Sequence, residues 1–131
     1  MLTLTQLIAS TVLLFNYLGS PQGTGIKGDC VKALKVEAKA LKYPLTQQEI
    51  DSALFIIHKE SRFNPNMKNK KSSSHGLNGF LRGTWKNMTS RHGVRHSLAV
   101  GPQMKALLIY CYNRYGSLYK AAMHHRRKGW Y

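Results

Sequence analysis

Acidic side chains are what this sequence has least of. Five of its 131 residues are Asp or Glu, against twenty Lys and Arg, for a formal net charge of +15. The five are Asp29, Glu37, Glu49, Asp51 and Glu60, and none follows Glu60. A hydrolase built on two paired carboxylates, or a metal site made of carboxylates, has little to draw on here. Cysteine is scarcer still. Cys30 and Cys111 cannot make a disulfide framework, and two buried thiols are favoured over one bond between them. No Cys/His spacing resembles a zinc site: His124 and His125 are adjacent and do not share a helix face. No residue pattern calls for a metal or any other cofactor. Long apolar runs are lacking too. Leu7 to Leu18 is shorter than the ~20 residues that span a bilayer. No basic residue precedes that run as one would in a secretory signal, since Lys27 is the first charge in the chain. Internal repeats and a long strand pattern are also missing.

What remains is one small domain's worth of chain with a strongly basic second half. From Ser61 to Tyr131 there are fourteen Lys and Arg and no acid. Such a surface attracts polyanions: nucleic acid, anionic lipid or an acidic wall polymer. Residues 1–26 divide from residues 27–131. In the first segment Leu4, Leu7, Ile8, Val12, Phe15 and Leu18 recur at helical spacing. The stretch Gly19 to Gly28 reads as a linker by composition. The apolar helix has three readings: docked on its own domain or a neighbouring chain, inserted in a membrane, or cleaved as a signal.

Four further helices follow from periodicity and end signals. Asp29 to Lys42 carries an apolar stripe of Val31, Leu34, Ala38 and Leu41 and a row of lysines, Lys32, Lys35, Lys39 and Lys42, on a solvated face. Thr46 to Glu49 spells a capping box, followed by the stripe Ile50, Ala53, Leu54, Ile57. Pro65 stops that helix, biasing Asn64 away from helical backbone, so it runs from about Gln47 to Arg62. Thr84 to His92 is short and breaks at Gly93. Pro102 is placed to open a helix to Tyr115, and Ser117 to cap a last one over Leu118 to Arg127. The expected fold class is mainly α, with at most a small hairpin or loop near residues 67–80.

Glu60 stands out within this frame. It falls in the last turn of its helix, facing the negative end of the macrodipole. A carboxyl held protonated near neutral pH is what a general acid needs to protonate a glycosidic oxygen. The plain alternative is a surface pair with Lys59 or Arg62.

The run Glu60-Ser61-Arg62-Phe63-Asn64-Pro65 resembles the Glu-Ser-x-Phe-Asn-Pro motif of the soluble lytic transglycosylase family. Gly76-Leu77-Asn78-Gly79-Phe80-Leu81-Arg82-Gly83-Thr84-Trp85 is similar to that family's Gly-Leu-x-Gln-Phe-x-x-x-Thr-Trp stretch. Arg114-Tyr115-Gly116-Ser117 through Gly129-Trp130-Tyr131, with His124 between, resembles the end of its phage-type members. The three blocks come in order over residues 44–131. The resemblance implies an α+β lysozyme-like fold and cleavage of the MurNAc–GlcNAc bond of peptidoglycan. It makes Glu60 the catalytic acid/base, and it implies a virion protein acting at the bacterial cell wall. Peptidoglycan strands would then be the main partner, with neighbouring virion proteins met through residues 1–26. Contact with nucleic acid or membrane would use the basic and apolar surfaces.

The sequence departs from the family pattern in three places. Gly79 stands where the family has Gln, Lys70 to His75 replaces the usual Ser-x-x-Gly-Ala lead-in, and Ala122 or Met123 replaces an aromatic near the end of the last helix. The shortage of acids points the same way as the resemblance, independently. Asp51 is nine residues before Glu60 on one helix, about 13 Å away, too far for the ~5–9.5 Å of most glycosidase pairs. A mechanism with one carboxyl suits that count. Ser61, Phe63, Gly76, Leu77, Thr84, Trp85 and His124 are the candidate substrate-binding residues. Ser61 is equally an ordinary helix-end hydroxyl, Phe63 and Trp85 are candidate sugar platforms with a core role favoured for Phe63, and His124 is equally a structural histidine. Tyr110, Tyr112 and Tyr115 read as packing. The alternative function is a basic virion structural or nucleic-acid-binding protein with a degenerate lysozyme-like fold.

Overall fold

The computed structural model describes residues 25–131. The expected apolar helix before residue 25, and its docking, membrane or signal role, lies outside the described residues. Five helices follow: α1 (Gly25–Leu41), α2 (Gln47–Ser61), α3 (Arg82–His92), α4 (Val100–Tyr115) and α5 (Leu118–Lys128). Among the described residues there is no strand, and no helix is long and apolar enough to cross a membrane. The expected α+β character is therefore corrected to all-α. Where a hairpin was allowed, residues 67–80 form a loop with two isolated bridges, Lys68 to His75 and His75 to Phe80.

The helix α1 starts four residues earlier than Asp29, taking in Gly25–Gly28 that composition assigned to a linker. Tertiary packing overrides the glycines: Ile26 lies against the core and Gly28 is buried. Cys30, Leu34 and Ala38 continue that face at four-residue spacing, while Lys32, Lys35, Lys39 and Lys42 are exposed as expected. The turn after α1 puts Lys42 at φ 60°, and Tyr43 N–H donates to the Ala38 carbonyl at 2.9 Å, closing the end before Pro44.

The central element is α2, buried without a break from Ile50 to Ile57. It packs along α5, while α1 packs along α4, and α4 also meets α5. Leu54, Ile56, Ile57, Leu107, Leu108 and Leu118 are closed to solvent in this main core. A second cluster, Phe80, Trp85, Met88, Val94, Ala106 and Ile109, seats α3 and the end of the loop against the other side of α4. Pro102 sits at the third position of α4 and not the first, with Ala99 as its N-cap. Any of the first turn's N–H groups lacks a helical partner, so proline costs no hydrogen bond there.

Half of the expected capping box forms. Thr46 Oγ1 accepts from Glu49 N–H at 3.2 Å, but the Glu49 carboxylate turns away from Thr46. It accepts instead from Leu118 N–H at 2.7 Å and Tyr119 N–H at 3.2 Å. Ser117 Oγ takes Lys120 N–H at 3.0 Å, so the first three donors of α5 are all satisfied. A side chain from α2 thus caps α5 and fixes its start.

Candidate functional site

Glu60 is carried to the surface by the last turn of α2. The chain then leaves through two non-glycine residues in left-handed backbone, Arg62 (φ 51°) and Phe63 (φ 62°), each a conformation that costs about 1–2 kcal/mol. Arg62 N–H bonds the His58 carbonyl at 2.9 Å, and Asn64 Oδ1 receives Asn66 N–H at 2.9 Å, an Asx turn that sets the direction into Pro65. The next segment folds back: Ser74 Oγ donates to the Gly79 carbonyl at 2.8 Å, and Asn78 Nδ2 to the Gln103 carbonyl at 2.7 Å. Gly79 then lies directly against Glu60. At φ 64° it has the glycine-type backbone, and a Cβ there would stand 2.5 Å from Glu60 Oε2.

The other carboxylate oxygen belongs to α5. His125 Nε2 is 2.9 Å from Glu60 Oε1, with the histidine side chain 7% exposed and the glutamate 22%. The acid is therefore held from inside and open to solvent on the remaining side. The opening is a cleft of about 200 Å³ lined by Glu60, Ser74, Gly79, Phe80, Thr84 and Tyr110, with Leu81, Trp130 and Tyr131 completing it. Tyr131 is anchored by its hydroxyl on the Asn78 carbonyl at 2.7 Å, and its main-chain oxygen accepts from Tyr110 Oη at 3.1 Å. Burial pushes both phenols up, Tyr131 well up, with Arg114 pulling against it at Tyr110, so both stay protonated donors at neutral pH.

Among the residues lining the cleft Glu60 has the only acidic side chain. The other acids are placed elsewhere: Glu49 caps α5, Asp51 is buried and accepts from Gln47 Nε2 at 2.9 Å, and Asp29 and Glu37 lie on α1. Glu60 is paired with His125, not with Lys59 or Arg62. Among the described residues no three His, Cys, Asp or Glu gather where they could hold a metal ion. Cys30 and Cys111 are both buried free thiols. Burial and nearby Asp29 push Cys30 up to about 12, and burial, with Glu49 adding to it, pushes Cys111 well up.

Of the other candidate residues, Thr84 lines the cleft with Glu60. Ser61 is buried and donates to the Ile57 carbonyl at 3.0 Å, the ordinary helix-end use of a hydroxyl. Phe63 packs on the edge of the main core, 5.9 Å from the His58 ring, and is not among the cleft residues. Leu77 is core. Gly76 (φ 77°) is buried where a Cβ would meet the Gln103 amide at 2.7 Å, so its role is to let the loop close on α4. Trp85 is 2% exposed and packs in the second cluster against Phe80 and His96; it is a core aromatic, not a sugar platform. His124 does not face the cleft. It stands between Tyr115 and Trp130 on another side of α5.

The histidine at the site is its neighbour. A signal for it was present in the sequence: Leu118, Ala121, Ala122 and His125 fall at i, i+3, i+4 and i+7, and all four are buried. A polar residue on the apolar stripe of a helix needs a partner inside, and Glu60 is that partner. Tyr110, read as packing, also reaches the cleft. No protein-family model, curated protein or solved structure matches the chain.

Proposed function

We propose that the protein is a peptidoglycan lytic transglycosylase with a lysozyme-like arrangement and Glu60 as its single catalytic carboxyl. The observation that carries this reading is the setting of Glu60: the cleft's one acidic side chain, with Oε1 tied to His125 and Oε2 beside a residue that has no side chain. With its proton on Nε2, His125 donates to Oε1, and the acid proton is then left on Oε2, on the cleft side. Glu60 gives that proton to the glycosidic oxygen as the bond to C1 breaks. The substrate's own N-acetyl group stabilises C1, the task that a second carboxylate performs in most glycosidases. Glu60, now a carboxylate, takes the proton of the muramoyl C6 hydroxyl as its oxygen closes on C1. The product is a 1,6-anhydro end, no water is consumed, and Glu60 returns to its starting state.

The three sequence blocks support this reading by converging: the first brings Glu60, the second brings Gly79, Phe80 and Thr84, and the third brings Trp130 and Tyr131 to one cleft. The wider setting we propose is a virion protein that opens the wall locally during genome delivery. The acid-free second half favours a second reading, a basic structural or nucleic-acid-binding virion protein in which the cleft is inert.

Mass spectrometry of sugars released from purified peptidoglycan tests the assignment. Anhydro-muramoyl ends are expected. Reducing ends would mean hydrolysis, and no release would leave the binding reading. Glu60→Gln keeps the shape of the side chain but cannot cycle a proton, and is expected to abolish lysis. Activity within tenfold of the unmodified protein would remove Glu60 from its role.

A further inference from the structure

Trp130 stands between two cavities. It lines the Glu60 cleft, and its ring also stands edge-on to His124, with centroids 4.4 Å apart, under the Arg114 guanidinium at 5.7 Å. Beyond it lies a cavity of about 790 Å³ walled by Arg114, Lys120, Arg126 and Arg127 together with Tyr115 and Tyr119. That volume is in the ~300–1,000 Å³ range of sites that enclose a small organic ligand.

The walls are charged in one sense only. No carboxylate lines the cavity, and all five acids of the chain are placed on α1 or α2. Arg114 is held ready: its guanidinium lies over the rings of Tyr110, Tyr115 and Trp130, and Nη1 donates to Tyr110 Oη at 3.2 Å. A cation fixed by stacked rings loses less freedom when it meets an anion. Tyr119 Oη and His124 Nε2, on two residues of the wall, are buried and have no hydrogen-bond partner among the described residues. Burial together with Arg127, Arg114 and Lys128 holds His124 below its ordinary range, so it adds a neutral ring to the wall.

Helix dipoles account for part of this charge. Arg114 closes α4, and Arg126 and Arg127 close α5, where cations belong. They do not account for Lys120, which sits in the first turn of α5, where the dipole repels a cation. They also do not account for the concave shape.

We propose that this cavity is a subsite for the carboxylates of the peptide carried by the glycan strand whose sugar lies at Glu60. Planar guanidinium groups match carboxylates in geometry and charge. Tyr115, Tyr119 and Met123 offer apolar surface for short aliphatic side chains. Trp130 lines the Glu60 cleft and touches Arg114 and His124 of the cavity wall, so a ligand reaching from one to the other is sugar on one side and anion on the other. The inference rests on the transglycosylase reading of Glu60, so its test separates the two.

The test uses the full chain carrying Glu60→Gln, so that ligands survive, and titration calorimetry with two probes. One is a disaccharide-tetrapeptide from peptidoglycan, and the other is the same disaccharide without peptide. The peptide-bearing probe is expected to bind at least tenfold more tightly. In a K120Q/R126Q/R127Q variant of the same chain the two affinities are expected to fall within twofold of each other. A charge-matched K35Q/K39Q/K86Q control on exposed faces of α1 and α3 is expected to keep the tenfold difference. Equal affinities in the starting chain, or a difference that survives K120Q/R126Q/R127Q, overturns the proposal. So does a 20-base-pair DNA duplex that displaces the peptide probe and loses affinity in that variant, which would make the cavity part of a nucleic-acid surface. If Glu60→Gln remains lytic in a zymogram, the reading of Glu60 fails, while the titrations still report on the cavity.

Discussion

His125 Nε2 lies 2.9 Å from Glu60 Oε1 and joins the last turns of α5 and α2. Two helices that pack along each other thus end at one hydrogen bond, with the acid toward solvent and the imidazole toward the core. The histidine is itself held by neighbours, edge-on to Phe55 and tilted against Tyr131, each with centroids 5.9 Å apart. A carboxylate oxygen fixed from behind leaves its partner oxygen with one direction to face.

His125 is therefore a positioning residue for Glu60. His125→Ala is expected to lower kcat about 100-fold, the usual penalty for a catalytic group out of place, with KM changed less than twofold. His125→Gln, whose amide also donates, is expected to recover tenfold or more of that loss. Steady-state turnover of a soluble glycan checks both. An equal loss for Ala and Gln with unchanged melting would mean that the imidazole acts in some way other than holding Oε1.

Gly79 sets a second condition. The Gln of the family pattern is absent at this position, and the structure gives the physical reason: left-handed backbone and a carboxylate oxygen where the side chain would start. Gly79→Ala is expected to lose about 1–2 kcal/mol of stability from backbone strain. It should lose more than tenfold in activity, because Glu60 must move to admit the Cβ. Gly79→Gln, which puts there the residue of the motif this loop resembles, is expected to be worse and not better. Chemical denaturation and a turbidity assay on cell walls measure the two effects. Improved lysis by the Gln variant would show that the loop in solution does not hold Gly79 against Glu60.

The sequence displayed the helices through their periodic stripes and their caps, and Ser117 and Thr46 both cap as their positions demand. It placed Glu60 correctly at the end of its helix. Contacts between elements were beyond it. Glu49 has the sequence of a local cap but serves α5, sixty-nine residues away, because packing α2 along α5 brings its carboxylate to orphan donors. Leu77, Gly76 and Trp85 sit in the second resembling block, and the structure places Leu77 and Trp85 in the core and Gly76 where the loop closes on α4. His125 was legible from the stripe it shares with Leu118, Ala121 and Ala122, but the identity of its partner was not.

The Glu49 cap makes a stability prediction independent of any activity. Removing the carboxylate leaves Leu118 and Tyr119 N–H without acceptors in a partly buried site. A charge-assisted pair of this kind contributes about 2 kcal/mol. Glu49→Ala is expected to lower the melting temperature by roughly 6–10 °C for a domain of this size. Glu49→Gln, which still accepts, is expected to lose less than half as much. Thermal denaturation followed by circular dichroism reads both. A drop of under 2 °C for the alanine variant would show that α5 does not depend on this cap.

The final prediction concerns pH and a pair of imidazoles beside the loop. His75 Nδ1 lies 2.6 Å from the Ser73 carbonyl and so carries a proton, which leaves Nε2 as an acceptor when the ring is neutral. His96 Nε2 donates to it at 2.7 Å. The pair works with at most one charge, since two fully protonated rings would set N–H against N–H. Burial first, and His75 second, hold His96 below the usual histidine value of about 6.5. A histidine lowered in the folded state binds its proton more readily in the unfolded chain. Its contribution to stability is therefore complete above pH 6.5 and is lost as pH falls through the folded value. The melting temperature is expected to decline from pH 7 to pH 5. His58 and His124 are shifted in the same direction and share in that decline. His96→Asn removes one titrating group while leaving a side-chain donor, and is expected to make the decline shallower. Melting curves at half-unit pH steps decide it. A slope identical to that of the unmodified protein would mean that His96 titrates alike in the folded and unfolded chains, and the imidazole pair would then carry no weight in holding the loop.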